Sequence, residues 1–190
     1  MTGGLPHAFP WEGFRHCPSC GSKRVILRGD RSVSCRKCGY HFFFNVASAV
    51  AALIEDDIGR LLMTVRAHDP GKGALDLPGG FVDFQESAEE ALIREVAEEL
   101  NLTVTKCIYF RSFPNTYTYD NVTYHTLDLS FLCRVESFGL QRLSDEIAEV
   151  RFLRPEDINT KHIAFDSIRR IVSDYLMSGK AVLSPVSPRR

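Results

Sequence analysis

Apolar residues along this chain first run together and later alternate. Between Phe42 and Ile54 they are nearly continuous, interrupted by Asn45 and Ser48, and the run stops at Glu55-Asp56-Asp57. Such a run fits a buried strand and falls well short of the ~20 residues of a membrane span. Leu61-Leu62-Met63-Thr64-Val65 follows a turn around Asp56, Asp57 and Gly59, so this segment and Val46 to Ile54 are expected to form a strand pair. Residues 66–80, rich in Gly, Pro and Asp, predict an exposed loop that returns to the core near Leu75 and Leu77. Ser87-Ala88-Glu89-Glu90 has the spacing of a capping box, and Leu92, Val96 and Leu100 recur at helical intervals. A helix is therefore predicted over 87–100, with Asn101 as its left-handed cap.

Beyond it, Val104 to Phe110 reads as a strand and Phe113 to Tyr124 as a loop or hairpin. Leu127, Leu129, Phe131, Cys133 and Val135 then alternate with mostly polar neighbours. Glu149 to Leu153 predicts a short strand, and Ile168, Ile171, Val172, Tyr175 and Leu176 define an amphipathic terminal helix ending before Gly179. Mixed strands and helices in this order imply an α/β class with an α/β/α layered body.

Composition adds limits. With 190 residues, 44% apolar, 25% charged and a net charge of −1, disorder and collagen are excluded, and one core with a small satellite module is expected. The boundaries are read as 14–42 for the satellite and 43–179 for the body, followed by a polar tail. The first residues carry no basic start followed by an apolar stretch, so no secretory signal is read and a cytoplasmic, reducing location is expected. In that setting paired cysteines serve as metal ligands. Cys17-Pro18-Ser19-Cys20 and Cys35-Arg36-Lys37-Cys38 are two C-x-x-C pairs, each followed by a glycine, Gly21 or Gly39. Four thiolates from two tight turns complete a tetrahedral zinc shell, with Val25-Ile26-Leu27 and Arg31-Ser32-Val33 as the hairpin between them. This is a zinc ribbon, and His16 and His41 beside it are not assigned as ligands.

The ribbon is basic, with seven Lys or Arg against Asp30. Two readings stand: the excess balances the thiolates, or it meets a polyanion such as RNA or a neighbouring subunit. Interleaved stacking aromatics are not read inside it. Cys107 and Cys133 fall in strand patterns as buried apolar residues.

Charge is concentrated elsewhere. From Glu86 to Glu99 six acids face one base, Arg94, which makes the segment −5 and leaves +4 for the rest. On a helix Glu95, Glu98 and Glu99 share one face, where like charges conflict unless a cation lies among them. These residues form Gly80-x5-Glu86-x7-Arg94-Glu95-Val96-Ala97-Glu98-Glu99-Leu100-Asn101-Leu102, which resembles the signature of the Nudix hydrolase family, with Asn101 where the signature has glycine. The resemblance implies an α/β/α Nudix sandwich with a mixed sheet. It also implies that Glu95, Glu98 and Glu99 hold Mg²⁺ or Mn²⁺ with the Gly80 carbonyl, that Arg94 pairs with Glu86, and that the protein is a pyrophosphatase. The base that takes a proton from the attacking water is Glu98 or Glu146, and both remain open.

A zinc ribbon ahead of such a body is similar to the NADH pyrophosphatase branch of the family, which implies a homodimer and a dinucleotide or nucleoside diphosphate sugar as substrate. That branch carries an S-Q-P-W-P-F-P-type segment where this chain reads Arg111-Ser112-Phe113-Pro114-Asn115-Thr116-Tyr117-Thr118-Tyr119, so NAD(H) and an ADP-ribose-type substrate both stand. Arg111 could meet a phosphate, and Phe113, Tyr117, Tyr119 and Tyr124 either stack a base or pack as strand core. His68 and His125 are read as structural. A competing class is a nucleotide- or RNA-binding regulator with a non-catalytic pocket.

Overall fold

The computed structural model describes residues 13–29, 31–119, 122–139 and 143–178. The chain divides into two compact units, Met1–Ala47 with Thr116–Thr126, and Ser48–Asn115 with Leu127–Arg190.

In the first unit, β1 (Val25–Arg28), β2 (Ser32–Cys35) and β3 (His41–Phe43) form an antiparallel sheet in that order. The two cysteine turns are built alike. Gly21 N–H donates to the Cys17 carbonyl and Gly39 N–H to the Cys35 carbonyl, and both glycines take positive φ, 67° and 78°, a region that side-chain-bearing residues avoid. The third strand corrects the sequence reading: the apolar run from Phe42 to Ile54 is not one buried strand. Its first residues form exposed β3, a short irregular stretch follows, and only from Ala47 does a buried strand begin.

β4 (Ala47–Ile54), β7 (Val104–Tyr119) and β8 (Val122–Val135), each mainly in the second unit, form a sheet of order β4-β8-β7. β5 (Leu61–Arg66), β6 (Leu75–Asp76) and β9 (Ile147–Leu153) form a second sheet of order β6-β5-β9. Helices α1 (Ala88–Leu100) and α2 (Asp166–Met177) complete an α/β/α sandwich. Along β4 the side chains alternate between two cores. Val50, Ala52 and Ile54 pack with Ala91, Leu92, Val96 and Leu100 of α1, while Ala51 and Leu53 pack with Ile168, Ile171 and Val172 of α2. Burial on both faces explains why the run is continuous rather than alternating.

β4 and β5 do not pair as expected. The Asp56 turn joins them, with Asp56 N–H on the Arg60 carbonyl and one bridge between Glu55 and Leu61, after which they enter different sheets. A strand that is apolar on both faces carries no pattern to identify its neighbour. Of the loop or hairpin expected over Phe113 to Tyr124 the hairpin forms, since β7 runs to Tyr119 and pairs with β8. Pro114 is tolerated within β7 because that strand is the sheet edge, where a missing N–H breaks no ladder. Leu75 and Leu77 are buried as predicted, and Cys133 is fully buried. No helix among the described residues is long and apolar enough to cross a membrane.

Candidate active site

Helix α1 carries the acidic face and its ends are well fixed. Ser87 accepts the Glu90 N–H on its hydroxyl while Glu90 accepts the Ser87 N–H, which completes the capping box, and Asn101 closes the helix at φ 55° with its N–H on the Ala97 carbonyl. The inward stripe is Ala91, Leu92, Val96 and Leu100, so Arg94, Glu95, Glu98 and Glu99 are carried along its margin.

Arg94 organises this margin. Its Nε and Nη2 grip the two oxygens of Glu86 at 2.9 Å each, its Nη1 reaches Glu95 Oε1 at 2.8 Å and Glu98 Oε2 at 3.2 Å, and Nη2 also reaches the Phe81 carbonyl at 3.1 Å. All five guanidinium donors are thereby used. The bonds to Glu86 and then to Glu95 hold the guanidinium firmly charged. Conversely, Arg94 and the Asp83 N–H hold the Glu86 carboxyl below its ordinary value.

The loop facing α1 is Pro78-Gly79-Gly80, which lies along β4: Ala52 N–H donates to the Pro78 carbonyl and Val50 N–H to the Gly80 carbonyl, each at 2.8 Å. A Cβ on Gly79 would strike the Val50 carbonyl, which closes that position to larger residues, and one on Gly80 would displace the Glu95 carboxylate. The Gly80 carbonyl thus keeps one lone pair beyond its bond to Val50. Gly79 N–H donates to Glu99 Oε2 at 3.0 Å.

Burial sets the protonation here. It pushes the Glu99 carboxyl up to about 8, against the Gly79 hydrogen bond and with the charges of Glu95, Asp76 and Glu146 acting in the same upward direction. Glu95 is likewise raised by burial, partly offset by Arg94. Glu98 is exposed, and so is Glu146, whose charge acts on both Glu95 and Glu99. The Glu146 segment is tied to α1 by the Ser144 N–H on the Glu99 carbonyl at 3.0 Å. Beside Glu98 lies a cleft of about 370 Å³ lined by Ala97, Glu98, Asn101, Leu143, Ser144 and Asp145.

Sequence reasoning missed Asp76. It is buried on β6, accepts Arg66 Nη1 at 2.9 Å and the Leu77 N–H at 2.9 Å, and burial raises its carboxyl to about 6. The available signal was a single acid between two core leucines. Asp128, buried and hydrogen-bonded by the Ser167 hydroxyl, was missed as well.

The other predicted residues have separate surroundings. Arg111 pairs with Asp174 of α2 at 3.4 Å, and Phe113 packs on the α2-side core with the Arg170 guanidinium 4.2 Å from its ring centre. Tyr117 and Tyr119 lie in the hairpin end that belongs to the first unit, and the Tyr119 side chain is outside the described residues.

The four ribbon cysteines are all free thiols with their sulfurs within 4.8 Å of one another, and Cys17 and Cys38, like Cys20 and Cys35, lie 3.7 Å apart. Backbone N–H groups of Cys38 and Lys37 help bring the Cys35 thiol down to about 6. Such a set can hold a zinc ion. Among the described residues it is the one group of three or more His, Cys, Asp or Glu that converges this closely.

Comparison with known proteins gives a consistent result. The family model described as the NUDIX domain matches residues 46–175. The chain is 31% identical over 158 residues to the ADP-ribose pyrophosphatase of Methanocaldococcus jannaschii, covering 82% of this chain and 84% of that protein. It is 25% identical over 179 residues to the NAD-capped RNA hydrolase NudC of Pseudomonas putida (strain W619), covering 92% of this chain but 60% of that protein's length. Among solved structures, a NUDIX hydrolase from Nitrosomonas europaea superposes with a TM-score of 0.68 at 25% identity, over 87% of this chain and 92% of the other.

Proposed function

Because the chain belongs to the Nudix family, we propose that it is a Mg²⁺- or Mn²⁺-dependent pyrophosphatase that cleaves the diphosphate linkage of an ADP-ribose- or NAD(H)-type nucleotide and releases a nucleoside monophosphate. The observation that carries this reading is the Arg94-organised carboxylate margin of α1, with half-buried Glu99 and Glu95 raised by desolvation and by neighbouring carboxylates. Half-buried acids crowded by other acids suit a cation among them. Glu95, Glu98, Glu99 and the Gly80 carbonyl would hold it, and when bound it would neutralise charge growing on the diphosphate and make water a better nucleophile.

The chain's own groups do the rest. Arg94 orients Glu95 and Glu98 and keeps Glu86 from competing for the cation. Gly79 N–H fixes the rotamer of Glu99. A carboxylate takes the proton of the attacking water, and Glu98 and Glu146 are the two exposed acids suited to it. Because Glu98 would also hold the cation, Glu146→Gln decides between them: it lowers kcat by roughly 10²–10⁴-fold if Glu146 is the general base and changes it little if Glu98 is. Of the predicted substrate contacts, Arg111 and Phe113 lie in the same unit as these carboxylates, and they are proposed to meet substrate on release from Asp174 and Arg170. Residues 14–42 are proposed as a ribbon stabilised by structural zinc, and 43–179 as the catalytic domain.

Purified protein with Mg²⁺, offered ADP-ribose, NADH and FAD, is expected to release nucleoside monophosphate from at least one. Absence of product from all three refutes the reading, and binding without product identifies a nucleotide-binding regulator instead. Light scattering of the same preparation reads whether the chain dimerises.

A further inference from the structure

The outward face of the ribbon sheet has no place in diphosphate cleavage, yet it is built. Paired residues across the three strands share a face, so Arg28, Ser32 and Phe43 stand on one side with Ile26, Ser34 and His41. Leu27, Val33, Cys35 and Phe42 take the other side, where Val33 and Cys35 are buried and Phe42 packs with Phe14 and Phe44. Leu27 and Phe42 on that second side stay exposed.

The first side is ordered and open. The Phe43 and His41 rings stack at 4.5 Å with an angle of 21°, and Phe43 remains 59% exposed. His41 Nε2 lies 2.9 Å from the Ser32 hydroxyl, and Arg28 Nε donates to the Ser34 hydroxyl at 3.0 Å, so ring and guanidinium are both fixed by serines beneath them. Arg24 and Arg36, both exposed, are held beside each other by the Arg36 N–H on the Arg24 carbonyl. At ~3.3 Å per residue, Arg24 lies about 13 Å along the strand from Arg28.

An exposed aromatic stack beside the fixed Arg28 guanidinium offers a peptide carboxylate only the cation, and a second ribbon of the same charge would be repelled. The stack suits a chain of unpaired bases on a phosphate backbone, where bases stack on rings and phosphates meet guanidinium groups. We propose that this face binds single-stranded nucleic acid, with Phe43 and His41 as the stacking platform and Arg28, Arg24 and Arg36 as phosphate contacts. The surplus of seven Lys or Arg over one acid between Gly13 and Ala47 exceeds what four thiolates around a divalent ion require, which leaves net positive charge for a polyanion. The inference is independent of which diphosphate the second unit cleaves.

The test uses the full zinc-loaded chain and fluorescence anisotropy with a labelled unstructured RNA of about twelve nucleotides, alongside a duplex of equal length. The single strand is expected to bind more tightly than the duplex, with affinity falling as salt rises. Phe43→Ala should weaken binding roughly 5- to 100-fold and Phe43→Trp should retain it. Arg28→Gln should lower the salt slope by about 0.7. Zinc content and hydrolysis of small dinucleotides should be unchanged in all three variants. Equal affinity for duplex and single strand, or unaltered RNA affinity in Phe43→Ala, overturns the proposal. So does conversion of a dimer to a monomer by Phe43→Ala without loss of RNA binding, which would make this face a contact between copies.

Discussion

Arg94 is the side chain on which the α1 margin depends, because no other residue could replace five simultaneous donor contacts from a planar group. Lysine keeps the charge but not the fork. Arg94→Lys should leave Glu86 with one partner and release Glu95 and Glu98, and turnover is expected to fall about 10- to 100-fold, as for other residues that orient metal ligands. Steady-state kinetics across a Mg²⁺ titration checks this, and an unchanged kcat would show that the fork is dispensable. Two other residues make a pH prediction. Asp76 and Glu99 hold their protons to about 6 and about 8, while in the unfolded chain they lose them near 3.8 and 4.5. Between those values the folded state binds more protons than the unfolded state, so stability of the Mg²⁺-free protein should fall as pH rises from about 5 to about 8, by up to about 1.4 kcal/mol per pH unit for each proton. Carboxyls held low, such as Glu86 and Asp56, act only below that window. Thermal unfolding at several pH values reads the slope. A melting temperature that rises over this interval would contradict the assignment.

Among the elements, α1 was the most legible, since its cap, stripe and left-handed stop are all local signals, and each appears where expected. Ser87→Ala removes one half of the reciprocal cap and should cost about 1 kcal/mol, measured by denaturant unfolding, with little change in the box contacts further along the helix. Strand pairing was not legible. β4 and β5 are both apolar on two faces, so their periodicity carries no partner information, and the decision falls to which helix each face meets. The length of β7 was hidden by Pro114, a residue that argues against a strand until the strand is known to be an edge. β3 was absorbed into a longer apolar run because Phe42 and Phe43 are apolar yet exposed, a distinction that one-dimensional hydrophobicity does not hold. The carboxylates of the site could be read by spacing, whereas Asp76 acquires its place only when β6 is folded beside β5.

At the scale of the whole molecule, the two units rest on different physics. The second unit has two extensive apolar cores, on either side of β4, and needs no ion to hold them. Between Gly13 and Phe44 the buried apolar side chains among the described residues are Cys17, Val33 and Cys35, so two of the three are thiols of the proposed zinc site. A sheet of three short strands with that interior buries too little surface to offset its ordering entropy, and metal binding has to provide the remainder. One zinc per chain is therefore expected by elemental analysis. Removing it with a strong chelator, or by Cys17→Ser with Cys38→Ser, should abolish amide protection across β1 to β3 while protection persists in β4, β5 and α1. Hydrogen exchange resolved by residue distinguishes this from global unfolding. A ribbon that keeps its protection without metal would show that Phe14, Phe42 and Phe44, packed on one another, are sufficient to hold it, and the cysteines would then require a different explanation.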